Sequence, residues 1–183
     1  MEIKRLLVAG AVGAGKSTFV RSIGEIGVVD TEEIATDETA LIKPTTTVVF
    51  DFSRVTLPQY TLHVYGTPGQ YRFNFIWEML IEQAHVLLLL VAAHRPDDFK
   101  QTQKIIAFMQ KHASKSAAGQ SQLPMMLGIT HTDCPDAIAP EEIVSALELS
   151  TLVSLPVLTI NPLDRISVAN ALATVADGVF HER

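Results

Sequence analysis

Two rhythms of apolar positions alternate along this chain. Short continuous or every-other-residue runs mark strands, and recurrence every three or four positions marks amphipathic helices. Ile3–Ala9 is almost continuously apolar, which predicts a first strand buried on both faces. Lys16–Ile26 predicts a helix that Gly24 and Gly27 end or loosen. From Gly27 to Thr46 no period is visible, and Asp30, Glu32, Glu33, Asp37 and Glu38 crowd the segment. A loop of that length is usually functional in a compact domain, although its charges also suit a solvated surface. Val48–Val55 alternates, Leu57-Pro58-Gln59 makes a turn, and Thr61–Tyr65 returns as a hairpin partner. Arg72–Gln83 sets Phe73, Ile76, Trp77, Leu80 and Ile81 at helical spacing.

Val86–Val91 predicts another buried strand. Asp97 is placed to cap a helix over Asp98–His112, with Ile105, Phe108 and Met109 on one face. Ser114–Gln122 is small and polar, hence a surface loop, and Pro124–Thr130 is the next strand. Pro140 opens a helix with Glu141 and Glu142 in its first turn, where the helix dipole favours negative charge. Val157–Ile160 is the last strand, and Ser167 is placed to cap a final helix from Val168 to Phe180. No repeat, low-complexity tract or domain boundary interrupts this order, so residues 1–183 are expected to form one domain. Strands alternating with helices, plus one early hairpin, imply an α/β sandwich. Its sheet should be mainly parallel, with the site at the carboxyl ends of the strands.

Composition narrows the class. The 183 residues are 48% hydrophobic and 19% charged, enough apolar material for a substantial core. A formal charge of −6 argues against nonspecific nucleic-acid binding. The single cysteine, Cys134, rules out an internal disulfide and suits a reducing compartment. It has no evident catalytic partner. The six histidines show no metal-ligand spacing, and His63 and His85 read as strand-end residues. The apolar run Val86–Val91 is too short to span a bilayer, Glu2 stands where myristoylation needs glycine, and no prenylatable cysteine closes the chain. A soluble cytoplasmic protein without lipid anchor is the expectation.

The chemistry concentrates in Gly10-Ala11-Val12-Gly13-Ala14-Gly15-Lys16-Ser17, a complete G-x-x-x-x-G-K-[ST] phosphate-binding loop between strand and helix. Its glycines let several backbone N–H groups, with Ala14 and Thr18 among the contributing residues, turn toward one point. The helix behind directs its positive end there. Lys16 reaches the β- and γ-phosphates, and the Ser17 hydroxyl is a Mg²⁺ ligand.

Further stretches follow in order: Thr47 at the end of the acidic loop, Gly66-Thr67-Pro68-Gly69-Gln70 after the strand Thr61–Tyr65, and Thr130-His131-Thr132-Asp133 after the strand Met125–Ile129. Together with the phosphate loop they resemble the Ras-like small GTPases. They look closest to the bacterial branch containing the gliding-motility and conservon GTPases, which carry similar D-F-x-R and G-T-P-G-Q signatures. The resemblance covers nearly the whole chain and implies a P-loop NTPase, a three-layer sandwich on a mostly parallel six-stranded sheet with one antiparallel strand. It implies GTP or GDP with Mg²⁺ as ligands, and exchange, activating and effector proteins as partners. It also implies that Thr47, beside Thr45 and Thr46, closes on Mg²⁺ and γ-phosphate. The Gly69 amide would touch the γ-phosphate, Gln70 would orient the attacking water, and Asp133 would read guanine N1 and N2.

The departures from the family pattern are informative. Gly66 stands where most small GTPases carry an aspartate for a Mg²⁺-bound water, and Asp51 on the neighbouring strand is the candidate substitute carboxylate. An ordinary outward-facing strand residue is its other reading. Thr130 and His131 replace the usual asparagine and lysine. Asn161-Pro162-Leu163 occupies the loop that donates an N–H to guanine O6, and Pro162 has none to give. Leu163 would substitute if the loop shifts. Val12 should crowd Gln70 and any arginine delivered by a partner, which predicts slow unaided turnover. Arg54 and Arg72 are candidates for an internal arginine finger or for surface ion pairs. Trp77 reads as core or switch packing, with an exposed edge as the alternative. A GTP-binding switch is the leading expectation. A non-hydrolysing nucleotide-binding module and an ATP-using P-loop protein are the alternatives.

Overall fold

The computed structural model describes residues 2–24, 50–113, 123–149 and 156–180. Thr47, the acidic loop and the Ser114–Gln122 loop lie outside the described residues. A six-stranded sheet is formed by β1 (Glu2–Ala9), β2 (Asp51–Thr56), β3 (Tyr60–Gly66), β4 (Val86–Ala92), β5 (Met125–Thr130) and β6 (Leu158–Thr159), in the order β2-β3-β1-β4-β5-β6. Only β2, the first arm of the hairpin, runs antiparallel to its neighbour. Helices α1 (Lys16–Gly24), α2 (Asn74–Gln83), α3 (Phe99–His112), α4 (Pro140–Ala146) and α5 (Arg165–Val175) cover its faces.

Strand alternation sorts the core into two layers. Leu6, Val8, Leu62, Val64, Leu88 and Leu90 pack with Phe19, Val20 and Ile23 of α1 and with Val168, Ala171 and Val175 of α5. Their sequence neighbours Leu7, Ala9, Tyr65, Leu87, Leu89 and Val91 pack on the other face with Trp77, Leu80, Ile105, Met109 and Ile143 of α2, α3 and α4. A sheet buried on both faces explains why its central strands read as unbroken apolar runs. The first strand departs from that pattern at its start. Leu6–Ala9 are buried, but Glu2 and Ile3 are exposed.

Helix starts differ from their expected caps. Asp97 lies in a single 3-10 turn, Pro96–Asp98, and α3 begins at Phe99. Asp98 precedes it and pairs with Arg95 at 2.8 Å instead of capping. At the last helix Asp164 is the cap, its carboxylate accepting from the Ile166 N–H at 2.9 Å. Ser167 lies inside the helix and accepts from the Asn161 N–H. The α-helix ends at Val175, and Ala176–Phe180 continue as a wider π turn.

Leu88 sits at the middle of the sheet with no exposure, bounded by β1 and β5. Leu88→Ala is expected to cost about 2–5 kcal/mol of stability, read by chemical denaturation.

Candidate functional site

The carboxyl ends of the parallel strands meet at the turn from β1 into α1. There Gly13 (φ 83°) and Gly15 (φ 96°) adopt backbone angles that side chains disfavour, which lets the chain curl. Lys16 folds back over this curl. Its ammonium donates to the carbonyls of Gly10 and Ala11, both at 2.8 Å, and the residue is only 7% exposed. Burial lowers its pKa to about 8, with the Asp51 carboxylate working in the opposite direction.

One flank of the curl is built by the hairpin. The Ser17 hydroxyl donates to Oδ2 of Asp51 at 2.5 Å, and the Arg21 guanidinium stands 4.0 Å from Oδ1. Asp51 is the register partner of Gly66 across the β2–β3 ladder. A Cβ placed on Gly66 would lie 3.2 Å from the Asp51 Cβ and 3.3 Å from Val20. The space that an aspartate at position 66 would fill is taken by the carboxylate from the neighbouring strand. Asp51 therefore points inward, and the outward-facing alternative is corrected.

After β3 the chain crosses the curl. The Thr67 N–H donates to the Val8 carbonyl, and the indole N–H of Trp77 donates to the Pro68 carbonyl at 2.8 Å. Trp77 has no exposed surface, so it packs and anchors this loop and offers no edge to a partner. A Cβ on Gly69 would stand 2.9 Å from both the Lys16 Nζ and the Val12 nitrogen. Only glycine permits so close an approach. Gln70 is exposed beside it, ahead of the turn Tyr71–Phe73, and Val12 is 54% exposed.

The other flank comes from β5 and the loop after β6. The Thr130 hydroxyl donates to the Ala14 carbonyl at 2.9 Å, so this residue ties the curl to β5. His131 follows with a positive φ of 56°. Its Nδ1 lies 2.9 Å from the Thr130 hydroxyl, and its ring meets that of His94 at 4.6 Å. Burial lowers the His131 pKa, the neighbouring His94 and Arg95 lower it further, and Asp133 opposes them. Asp133 is exposed on the following turn. Pro162 packs against Gly15, and its carbonyl accepts from the Ser22 hydroxyl at 2.6 Å. The Leu163 N–H is engaged by the Asn161 side chain at 3.0 Å, while the Leu163 side chain is 81% exposed.

Comparison with known proteins bears on this geometry. A model of a family described as "conserved hypothetical ATP binding protein" matches residues 26–156. The chain belongs to this family. An uncharacterized protein of Methanocaldococcus jannaschii, MJ1339, is 25% identical over 133 residues, covering 72% of each chain. A solved structure of the Arl6 (BBS3) small GTPase from Trypanosoma brucei, with the nucleotide analogue GppNp bound, superposes with a TM-score of 0.75 over 99% of each chain, at 17% identity. The likeness establishes a P-loop fold of the Ras-like kind, and fold and family together support nucleotide binding.

In this ATP-binding-protein family member, several residues stand elsewhere than the sequence suggested. His63 lies within β3, buried among Phe52 and Tyr65, and not at a strand end. His85, by contrast, does sit just before β4, where its Nδ1 accepts from the Arg5 N–H. Arg54 pairs in register with His63, which is itself level with Arg5, back from the curl. Alternation along β2 puts it on the face opposite Asp51 and Ser53, whose hydroxyl bonds α1 at the Val20 carbonyl. Arg72 rests over the Phe73 ring at 4.8 Å. The arginine that does reach the phosphate loop is Arg95, which sequence reasoning passed over. Its placement directly after β4 was the available signal, since β4 adjoins β1. Among the described residues no helix is long and apolar enough to cross a membrane.

The buried ammonium gives a pH signature. Lys16 falls from 10.5 in the unfolded chain to about 8 in the fold, so below pH 8 its burial opposes folding by roughly 3 kcal/mol. Between pH 8 and 10.5 the unfolded chain holds more protons, and this group's penalty is relieved as pH rises. The melting temperature of nucleotide-free protein should therefore rise with pH in that window relative to Lys16→Met, which lacks the slope. Scanning fluorimetry of the two proteins across pH checks it.

Proposed function

We propose that this protein is a small GTP-binding switch that binds GTP with Mg²⁺ and hydrolyses it slowly. The reading rests above all on the Ser17 hydroxyl and Asp51 carboxylate converging at 2.5 Å beside the phosphate loop. Mg²⁺ typically takes one or two protein oxygens and completes its shell with water and phosphate, and this pair suits that demand. Bound there, Mg²⁺ would neutralise charge on the phosphate chain. Lys16 would exchange its backbone carbonyls for β- and γ-phosphate oxygens. The amide of Gly69, held over Lys16 by close packing, would meet the γ-phosphate, and Gln70 would orient water.

Thr47 would complete the Mg²⁺ shell from the first switch, and its loop and that of Gly69 would order together when GTP is bound. Exchange, activating and effector proteins would act on these loops, in the cytoplasm. The narrower likeness to gliding-motility and conservon GTPases rests on the D-F-x-R and G-T-P-G-Q motifs.

One observation favours a second reading, an adenine nucleotide. Pro162 has no N–H, and that of Leu163 is already bonded to Asn161, so a donor for guanine O6 requires this loop to rearrange. The family description points the same way. Asp133, exposed beyond His131, supports guanine by its position. Identifying the nucleotide that co-purifies with the protein, then titrating GTP and ATP, decides between them. GDP or GTP is expected, and ATP selectivity would overturn the guanine assignment.

The carboxylate assignment has its own test. Asp51→Ala is expected to weaken the Mg²⁺ dependence of GTP affinity by about 10–100-fold. The exchanged pair Asp51→Gly/Gly66→Asp should recover part of it, because the carboxylate returns from the other strand to the same space. An Asp51→Ala protein with unchanged Mg²⁺ dependence would sink the assignment. Val12 beside Gly69 predicts that single-turnover hydrolysis without a partner is slow and that Val12→Gly speeds it. Absence of any turnover, with tight GTP binding, would instead identify a non-hydrolysing module.

A further inference from the structure

Arg95 occupies a place that the family motifs do not account for. It follows β4, whose end lies against the phosphate loop: a Cβ on Gly10 would stand 2.4 Å from the Leu90 carbonyl oxygen. The turn after the strand is tied by the Arg95 N–H to the Ala92 carbonyl. From there the side chain reaches across the loop. Its Nη1 would lie 2.5 Å from a Cβ on Gly13, so the guanidinium lies directly against the loop at that position. The G-x-x-x-x-G-K-[ST] pattern leaves that position free, and its positive φ of 83° is what calls for glycine there.

Its contacts show what holds it and what does not. The Asp98 carboxylate accepts from Nε at 2.8 Å, the normal length of a charge-assisted bond. The contact from Nη1 to the Val12 carbonyl is 3.4 Å, at the weak end of the hydrogen-bond range. Asp98 therefore sets the orientation, and the loop carbonyl holds the outer nitrogens only loosely. A guanidinium has more donors than these two contacts use, in a planar fork that matches phosphate oxygens. The side chain is 43% exposed, so a ligand can reach it. On the same flank stands His131, whose pKa is lowered by burial and by the neighbouring His94. At neutral pH the fixed positive charge on that side comes from Arg95.

We propose that Arg95 is a nucleotide-binding residue, whose guanidinium, oriented by Asp98 across Gly13, donates to the phosphate chain of the bound nucleotide. Asp98 is the positioning residue. This rests on the phosphate-cradle reading of residues 10–17. The contact is to phosphate, so it acts on guanine and adenine nucleotides alike.

The test titrates GDP and ADP into wild-type protein, Arg95→Ala, Arg95→Lys, Asp98→Asn and, as a control on the cradle, Lys16→Ala. It also records ³¹P spectra of whichever diphosphate binds and melting temperatures of the nucleotide-free proteins. Arg95→Ala is expected to weaken binding about tenfold or more and to move a ³¹P resonance, with the nucleotide-free melting temperature little changed. Arg95→Lys should recover part of the affinity, and Asp98→Asn should lose less than Arg95→Ala. Unchanged affinity and ³¹P shifts in Arg95→Ala, with binding abolished in Lys16→Ala, would overturn the proposal and leave the cradle standing. Weakening that tracks a lowered melting temperature, without recovery by lysine, would overturn it as well, by marking Arg95 as a prop for the loop. Undiminished binding in Lys16→Ala would overturn the cradle reading and this proposal together.

Discussion

Lys16 holds its ammonium between the carbonyls of Gly10 and Ala11, and much of the molecule is arranged around that contact. A buried cation is costly without partners, and here the partners are the loop's own backbone oxygens. Burial desolvates the ammonium, and its pKa falls to about 8. An anion arriving in the loop would relieve that cost. The site is thus built with a deficit of negative charge, partly offset by Asp51 next door.

The sheet order delivers the rest. β1 lies between β3 and β4, so the ends of its neighbours flank the curl directly. From β3 comes the chain that sets Gly69 over Lys16, braced by the Trp77 indole on the Pro68 carbonyl. From β4 comes Arg95, and from β5, one strand further, comes the Thr130 hydroxyl on the Ala14 carbonyl. Such convergence at strand ends is a property of parallel sheets, in which all carboxyl ends face one way. The antiparallel β2 adds to it from its own start: running in the opposite direction, it brings its first residue, Asp51, to the same end.

The replacements in this chain compensate one another in space. Glycine at 66 is matched by the carboxylate of Asp51 across the ladder, and a side chain at 66 would crowd Asp51 and Val20. Threonine at 130 keeps a bond to the phosphate loop. The His131 ring lies tilted against that of His94, and an arginine from a different strand end reaches the loop at the Val12 carbonyl. Pro162 seals the loop against Gly15 and bonds α1 through Ser22, a packing role in place of an N–H donor.

The chain's own pattern determined the order and kind of nearly every element, the one antiparallel strand and the phosphate loop, because these depend on local spacing and on apolar runs that report burial. It misplaced the caps expected at Asp97 and Ser167: α3 has no side-chain cap, and α5 is capped by Asp164, three positions before Ser167. Asp98, ahead of α3, is engaged instead by Arg95. Nor could spacing say which way Asp51 points, or which arginine meets the loop. Arg54, Arg72 and Arg95 are equivalent as letters, and strand order, strand face and the gap above Gly13 separate them. Those are distances between residues far apart in the chain, which arise only when the sheet closes around β1.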